Sequence, residues 1–185
     1  MLVEVRWHGR GGQGIVTVSR LLAYAALLDG KYVQAFPEFG PERRGAPVTG
    51  YTRISDEPIT IHSHIYNPHV VVIVDPTLIG TVNMTSGLVK DGTIVANTEK
   101  DSASLKQDLK VEKAKIFTVN ATRIALDVLG RPIYNTAMLG ALVKASPLVT
   151  LDSIDKVVKE RFPGAVGEKN VAVIKRAYEE AKNIE

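Results

Sequence analysis

The sequence contains no cysteine among its 185 residues. Disulfide bonds, thiolate catalysis and cysteine-ligated iron–sulfur clusters are therefore excluded within this chain. No apolar run approaches the ~18 residues of a membrane helix, and the longest one, residues 70–74, predicts a buried strand instead. Residues 1–8 lack the basic start and apolar core of a signal peptide. We therefore expect a cytoplasmic protein that does not bind a membrane.

Long runs of one charge are also missing, since no five consecutive residues carry the same sign. A basic stripe with interleaved aromatic residues is absent too, so nucleic-acid binding is not indicated. The net charge of +3 and the sequence pI near 9.1 weakly favour anionic partners such as phosphates. Hydrophobic content of 45% and charged content of 23% are typical of one globular domain with a sizeable core.

Short β-type runs alternate with helical periodicity along the chain, which predicts an α/β fold. A glycine-rich turn separates the first strand from the first helix, and residues 48–54 and 59–64 predict a β-hairpin joined at residues 55–58. Because such a hairpin adds antiparallel strands to a βαβ framework, we expect a single three-layer α/β/α domain over residues 1–185, with a mixed, mostly parallel sheet. The predicted strands are 2–7, 32–36, 48–54, 59–64, 69–75, 93–97 and 116–119. One predicted helix starts near residue 15. Others span residues 78–84, 102–109, 122–129 and 137–145, and two more follow in the last third of the chain.

The glycine turn, residues 9–14, has the pattern G-x-G-x-x-G between a predicted strand and a predicted helix. It consists of Gly9, Arg10, Gly11, Gly12, Gln13 and Gly14. Glycines there permit positive φ and close approach of a ligand to the backbone. The free N–H groups at the start of the helix attract an anion, and Arg10 could add a charged contact to a phosphate. The turn is therefore the best candidate anion site.

A dinucleotide site is one interpretation of this turn, and two observations oppose it. The nucleotide fingerprint requires an acidic residue about 20 residues further on, at the end of the second strand. Position 34 is Gln34, and Glu38 lies beyond that strand. A predicted hairpin then stands where a second βα unit should follow. Three interpretations stay open: tight strand-to-helix packing without a ligand, a phosphate-bearing cofactor, and NAD(P).

A second unusual segment, residues 36–47, places two aromatic residues, two carboxylates and two arginines in a loop stiffened by prolines. Loops of this composition often carry function, although a solvated turn with weak local ion pairs would have the same composition. The arginines are Arg43 and Arg44.

The two segments in this order resemble the gamma subunit of 2-oxoacid:ferredoxin oxidoreductases, with most similarity to the pyruvate enzymes. The resemblance continues to the end of the chain in motifs that are specific only in combination. These are the glycine turn, 39–46 (Phe-Gly-Pro-Glu-Arg-Arg-Gly-Ala), 66–69 (Tyr-Asn-Pro-His), 75–78 (Asp-Pro-Thr-Leu), 120–122 (Asn-Ala-Thr), 131–140 (Arg-Pro-Ile-Tyr-Asn-Thr-Ala-Met-Leu-Gly), 161–164 (Arg-Phe-Pro-Gly) and 168–170 (Glu-Lys-Asn).

The resemblance implies a subunit of a complex that oxidatively decarboxylates a 2-oxoacid. Thiamine diphosphate forms the adduct with the oxoacid, iron–sulfur clusters carry electrons to ferredoxin, and coenzyme A accepts the acyl group. In the family these cofactors lie largely on other chains. The present sequence agrees, because it lacks both cysteine and a recognisable thiamine diphosphate metal motif. The expected partners are the thiamine-binding and iron–sulfur subunits and, through the complex, ferredoxin.

Two roles remain open for the two loops. The glycine turn, with Arg43 and Arg44, could help to bind the phosphates of coenzyme A. Alternatively, both loops could dock onto the catalytic subunits, since arginines and aromatic residues are favoured at interface centres. A stand-alone NAD(P)-dependent oxidoreductase, a complex for branched-chain or aryl 2-oxoacids and a purely structural subunit are the alternative functions.

Other titratable residues give weaker predictions. His62 and His64 would share a face of a predicted strand, but nearby ligands that would complete a metal site are missing, and surface histidines are favoured. His8 beside the glycine turn could act as an acid or base, although a role in shaping the turn is favoured. Asp75 is predicted to cap the helix that follows it.

Overall fold

The computed structural model describes residues 1–38 and 44–184, except for the side chain of Ser102. It contains seven strands and six helices within these ranges. The strands are β1 (Leu2–Arg10), β2 (Tyr32–Pro37), β3 (Pro47–Ser55), β4 (Val70–Ile73), β5 (Thr93–Asn97), β6 (Lys115–Val119) and β7 (Lys182–Asn183). The helices are α1 (Ile15–Leu28), α2 (Ser102–Leu109), α3 (Ala121–Leu129), α4 (Asn135–Ala145), α5 (Leu151–Arg161) and α6 (Ala165–Glu180). None of the helices in these ranges is long and apolar enough to cross a membrane.

All seven strands form one sheet in the order β2-β3-β1-β4-β5-β6-β7. The pairs β1–β4, β4–β5 and β5–β6 are parallel, whereas β3 is antiparallel to both β1 and β2, and β7 is antiparallel to β6. Every strand except β3 and β7 therefore runs in the same direction. This arrangement confirms the predicted mixed, mostly parallel sheet.

The sheet separates two apolar cores of unequal size, and β4 contributes to both of them. Val70, Val72 and Val74 face the larger core, while Val71 and Ile73 face the smaller one, as expected of a parallel strand buried on both faces. Helices α1, α3, α4, α5 and α6 contribute to the larger core. Helix α2 and the turns of residues 76–92 cover the other face. The predicted three layers are thus present, with one outer layer much thinner than the other.

The predicted hairpin of residues 48–54 and 59–64 is wrong. Strand β3 pairs instead with β1 and β2, in the registers Val5↔Thr52 and Ala35↔Thr52, and residues 59–64 form no strand. The carbonyl oxygens of Ser63 and His64 accept hydrogen bonds from Nη2 of Arg53 at 2.7 and 3.2 Å. The segment is therefore held by a buried arginine, which its alternating pattern could not reveal.

The helix predicted at residues 78–84 is also wrong. A 3-10 turn spans Pro76–Leu78, and turns follow it. Asp75 does cap this short element, because its carboxylate accepts a hydrogen bond from the N–H of Thr77 at 2.9 Å. Gly80 then adopts a φ of 85°, a left-handed conformation that does not continue a helix.

Candidate functional site

The candidate site lies at the carboxyl ends of β1 and β4, which are neighbours in the sheet. The chain leaves β1 into α1 on the face of the larger core and leaves β4 into residues 76–92 on the opposite face. A crevice between two such connections is where α/β proteins usually bind ligands. The glycine turn and Asp75 form its two sides.

The glycine turn begins where β1 ends at Arg10, three residues beyond the predicted end of that strand. Gly12 and Gly14 have φ values of 92° and 74°, which strongly favour glycine at both positions. The N–H of Gly11 donates to the carbonyl of Ala46 at 2.8 Å, and the N–H of Gly45 donates to the carbonyl of Gly11 at 3.0 Å. The turn is therefore joined through its backbone to the end of the second loop.

Gly14 also permits a close approach of a distant residue. It is the N-cap of α1, and no side chain caps it. A Cβ atom at this position would clash with Nδ2 of Asn135, which donates a hydrogen bond to the Gly14 carbonyl at 3.2 Å. Packing accounts for part of the glycine pattern, and α4 begins directly against the turn.

Arg10 is engaged by neighbouring side chains. Its Nε lies 3.3 Å from Oδ2 of Asp75, and its Nε and Nη2 donate to Oγ1 of Thr77 at 3.1 and 2.9 Å. Its Nη1 donates to the carbonyl of Gly45 at 3.1 Å. The guanidinium therefore closes one side of the crevice, and a direct contact between Arg10 and a phosphate stays a prediction.

Gln13 links the two sides of the crevice. Its Oε1 accepts from the N–H of Arg10 at 2.7 Å, and its Nε2 donates to Oδ2 of Asp75 at 2.6 Å and to the hydroxyl of Tyr134 at 3.0 Å. Burial alone would raise the pKa of Asp75, but the hydrogen bonds from Thr77 and Gln13 and the charge of Arg10 outweigh it and lower this pKa. Asp75 is therefore a fixed anion that orients donors.

Burial and the negative charge of Asp75 raise the pKa of Tyr134. Its hydroxyl stays protonated at neutral pH.

Two adjoining cavities open on the other side of the glycine turn. The smaller one, of about 200 Å³, is lined by Gly12–Gly14 and 132–135. The larger one, of about 510 Å³, shares Ile133 and Asn135 with it. We call these cavities together the α1 groove. Three basic side chains, Arg131, Arg161 and Lys169, line its larger part, and no carboxylate is among its lining residues.

Asn135 is the polar residue common to both parts of the α1 groove. It is 5% exposed, and its Oδ1 is buried without a hydrogen-bond partner in the described part of the chain. Unpartnered buried acceptors are rare and destabilising. The α1 groove therefore combines basic side chains with an acceptor that lacks a donor.

The structure thus brings the glycine turn together with residues that sequence reasoning did not assign to the site. Asn135, Arg161 and Lys169 occur in the motifs that carried the family resemblance, which was the available signal. Arg44 lies beside the turn, because its Cγ is 3.7 Å from the place where a Gly12 Cβ would be. Arg43 lies outside the described residues.

The histidine candidates lie in different surroundings. Burial, followed by the charge of Arg6, lowers the pKa of His8 to about 3. His62 and His64 lie in the irregular segment 59–64, and His69 accepts a hydrogen bond from the N–H of Glu4 at 3.1 Å. Among the residues described, no group of three or more His, Cys, Asp or Glu side chains could hold a metal ion.

The acidic residue that a nucleotide ribose would require is also unavailable. Strand β2 carries no carboxylate, and Glu38 follows it, where burial and the negative charge of Glu38 raise the pKa of Tyr51 to about 12. The interaction that would favour a dinucleotide is therefore missing from the end of this strand.

Comparison with known proteins gives matches over nearly the whole chain. The sequence matches the family described as pyruvate ferredoxin/flavodoxin oxidoreductase over residues 4–180. It is 52% identical to the pyruvate/ketoisovalerate oxidoreductases common subunit gamma of Pyrococcus furiosus, covering 100% of both chains. It is 51% identical to the pyruvate synthase subunit PorC of Methanothermobacter marburgensis, covering 98% of this chain and 99% of the relative. The crystal structure of the pyruvate oxidoreductase subunit PORC of Thermotoga maritima has a TM-score of 0.90 and 43% identity, covering 100% of this chain and 99% of that one.

Proposed function

The chain belongs to the pyruvate ferredoxin/flavodoxin oxidoreductase family, and we propose that it is the gamma subunit of a multi-subunit oxidoreductase that acts on pyruvate. The observation that carries this proposal is the end-to-end match to relatives named as gamma or PorC subunits. The complex would decarboxylate pyruvate, transfer the acetyl group to coenzyme A and pass the electrons to ferredoxin.

In this proposal the redox chemistry resides on other chains. The sequence has no cysteine, so cysteine-ligated iron–sulfur clusters must be held by partner subunits. Thiamine diphosphate would likewise be bound by partners, since this chain has no recognisable motif for it. The isolated subunit is therefore inactive in the overall reaction.

The choice of 2-oxoacid would also be made elsewhere. The relatives from Pyrococcus furiosus and Pyrococcus abyssi are named as a gamma subunit common to pyruvate and ketoisovalerate oxidoreductases. A gamma subunit common to two such enzymes would not itself select between the two oxoacids. A complex for branched-chain 2-oxoacids is therefore the alternative assignment for the present chain.

We further propose that this subunit helps to bind coenzyme A in the α1 groove. Coenzyme A carries a diphosphate and a 3′-phosphate, and the groove offers Arg131, Arg161, Lys169 and the start of α1, whose first turn has no acidic residue. Backbone N–H groups at a helix start and arginine side chains both favour phosphate. The adenine amino group or a pantetheine amide of the ligand would supply the donor that Oδ1 of Asn135 lacks.

The roles of the predicted site residues differ within this proposal. Gly12, Gln13 and Gly14 would face the ligand directly, because they line the smaller cavity. Gly9, Gly11 and Arg10 would shape the turn, with Arg10 held by Asp75 and Thr77. Arg44 would approach the ligand beside Gly12. Docking of Arg44 onto a catalytic subunit is the competing role.

The subunit assignment is tested by affinity purification of this chain from its native source. We expect cysteine-rich and thiamine-binding chains to co-purify, together with pyruvate-dependent and coenzyme A-dependent reduction of a ferredoxin-like dye. Purification of the chain alone, with tight binding of NAD(P), would contradict the assignment and favour a stand-alone oxidoreductase.

The role of the α1 groove is tested in the intact complex with the variant Arg161→Ala. Loss of one charge-assisted phosphate contact should raise the KM for coenzyme A about tenfold while the KM for pyruvate stays unchanged. Lys113→Ala is the matched control, because Lys113 is an exposed cation that does not line the groove. An unchanged KM for coenzyme A in both Arg161→Ala and Lys169→Ala would overturn the binding role.

A further inference from the structure

One side chain of the α1 groove has a hydrogen-bond donor that the described protein groups leave unused. Tyr134 lines the smaller cavity of the groove together with Gln13 and Asn135. Its hydroxyl oxygen accepts a hydrogen bond from Nε2 of Gln13 at 3.0 Å. Within residues 1–38 and 44–184, this hydroxyl donates no hydrogen bond in return. Its hydrogen is therefore available to a bound molecule.

Asp75 determines the direction of the hydrogen bond between Gln13 and Tyr134, although it lines neither cavity of the groove. Its Oδ2 accepts from Nε2 of Gln13 at 2.6 Å, and an ionised carboxylate can only accept hydrogen bonds. The amide nitrogen of Gln13 must therefore face Asp75 and Tyr134, while its amide oxygen accepts from the N–H of Arg10 at 2.7 Å. Because Tyr134 accepts from this nitrogen, its own hydrogen has to point elsewhere.

The two ends of this chain of hydrogen bonds keep their protonation states at neutral pH. Burial and the negative charge of Asp75 raise the pKa of Tyr134, so its hydroxyl keeps the hydrogen. Asp75 stays ionised, because the N–H and Oγ1 of Thr77 donate to its Oδ1 at 2.9 and 2.6 Å. Nε of Arg10 lies 3.3 Å from the other carboxylate oxygen. The cation of Arg10 also offsets the negative charge that Asp75 would otherwise direct at an anion in the groove.

The surroundings of the free hydrogen favour an oxygen acceptor with negative charge. The smaller cavity includes Gly12 and Gly14 at the start of α1, where backbone N–H groups attract anions. The adjoining cavity has three basic side chains and no carboxylate among its lining residues. A phosphate oxygen would meet donors on every side of this position.

We propose that Tyr134 is a further ligand-binding residue, whose hydroxyl donates a hydrogen bond to a phosphate oxygen of coenzyme A in the α1 groove. Gln13 and Asp75 are then positioning residues, because they set the direction in which that hydroxyl donates. The assignment rests on the proposed binding of coenzyme A to this groove. It gives a binding role to a carboxylate that the ligand does not touch.

The variant Tyr134→Phe tests the contact with the ligand. Coenzyme A is titrated into the purified intact complex without pyruvate, and its Kd is measured by calorimetry. We expect Tyr134→Phe to raise this Kd about tenfold, since it removes one donor to a charged group, and to leave the KM for pyruvate unchanged. Tyr24→Phe is the matched control, because Tyr24 is an exposed tyrosine of α1 that does not line the groove.

The variant Asp75→Asn tests whether Asp75 acts through Gln13 on Tyr134. The new side chain can still accept from the N–H of Thr77, but it presents its own N–H to Gln13. The amide oxygen of Gln13 would then turn toward this N–H, and Tyr134 would donate to that oxygen instead of to the ligand. We therefore expect Asp75→Asn to raise the Kd of coenzyme A about tenfold, and the double variant with Tyr134→Phe to remain near tenfold.

The outcomes separate this proposal from the coenzyme A site itself. A hundredfold rise in Kd for the double variant would show that the two residues act independently and would overturn the positioning role. An unchanged Kd for Tyr134→Phe, with or without a lower thermal stability of the complex, would overturn the contact with the ligand. The coenzyme A site stands in that case if Arg161→Ala still weakens binding. If Arg161→Ala leaves the Kd unchanged as well, the coenzyme A site fails together with this proposal.

Discussion

The two halves of the sheet are stabilised by different chemistry. In the parallel half, β4, β5 and β6 bury apolar residues on both faces between two apolar cores. In the antiparallel half, β1, β2 and β3 have one apolar face, whereas the other face buries Arg6, His8 and Arg53. In the part of the chain described here, helices cover that second face only over the parallel half.

The difference shows where local sequence determines structure and where distant polar contacts do. An apolar sequence pattern is sufficient to specify the parallel half, because a strand buried on both faces needs only apolar side chains over the right length. On the polar face, individual cations fix irregular backbone. Nη2 of Arg6 donates to the carbonyls of Met84 and Ser86 at 2.8 and 2.6 Å, and Arg53 holds residues 63 and 64.

Substitution of Arg53 should give the largest effect on this comparison. Arg53 is 1% exposed, and its Nε donates to Oε1 of Glu4 at 2.8 Å. The variant Arg53→Met leaves Glu4 and two carbonyls without their donor, so we expect the free energy of unfolding to fall by about 4 kcal/mol. Denaturant unfolding of the isolated chain measures it.

The control for Arg53 is Arg123→Met, which removes an exposed arginine paired with Asp127 on α3. Its cost should stay below about 0.5 kcal/mol, because exposed pairs contribute little. A cost for Arg53→Met as small as that of the control would contradict the view that buried cations hold the antiparallel half.

An apolar truncation in the parallel half should have the next largest effect. Ile94 is fully buried in the smaller core, so Ile94→Ala should lower the free energy of unfolding by about 3 kcal/mol through lost burial and a cavity. Ile61→Ala, which truncates an exposed isoleucine of the antiparallel half, should change it by less than about 0.5 kcal/mol. A similar cost at both positions would indicate that residues 59–64 cover a core of their own.

The parallel half was predictable for the same reason that apolar truncation there is costly. The strand predictions at 69–75, 93–97 and 116–119 each contain the strand that the structure shows or lie within it. The prediction at 59–64 failed although residues 59–62 alternate between apolar and polar side chains, as a half-buried strand does. Alternation reports which side chains could face a core, and it does not report whether a partner strand is available.

The candidate site also has one part that the sequence could predict and one part that it could not. The glycine turn could be found from sequence because its strand, glycines and helix are consecutive. The α1 groove could not, since Asn135, Arg161 and Lys169 lie more than a hundred residues beyond the turn and meet it only through the packing of α4, α5 and α6. The engagement of Arg10 by Asp75 likewise depends on the pairing of β1 with β4.

The pH dependence of the free energy of unfolding should give the smallest effect on this comparison. His8 lies on the polar face, where its Nε2 accepts a hydrogen bond from Nε of Arg6 at 3.1 Å, and burial together with this cation lowers its pKa to about 3. Because that pKa lies below the unfolded value near 6.5, neutral His8 stabilises the fold above about pH 6.5, and this contribution is lost as the pH falls toward 3. We expect unfolding measured at about pH 4 instead of 6.5 to show a loss of on the order of 2 kcal/mol from this group.

The variant His8→Gln should lose less stability over the same pH range. The acidic groups, including Asp75, titrate in both proteins and therefore cancel in the difference. Equal pH profiles for the two proteins would mean that His8 is protonated in the folded state, and Arg6 would then have to face a second positive charge.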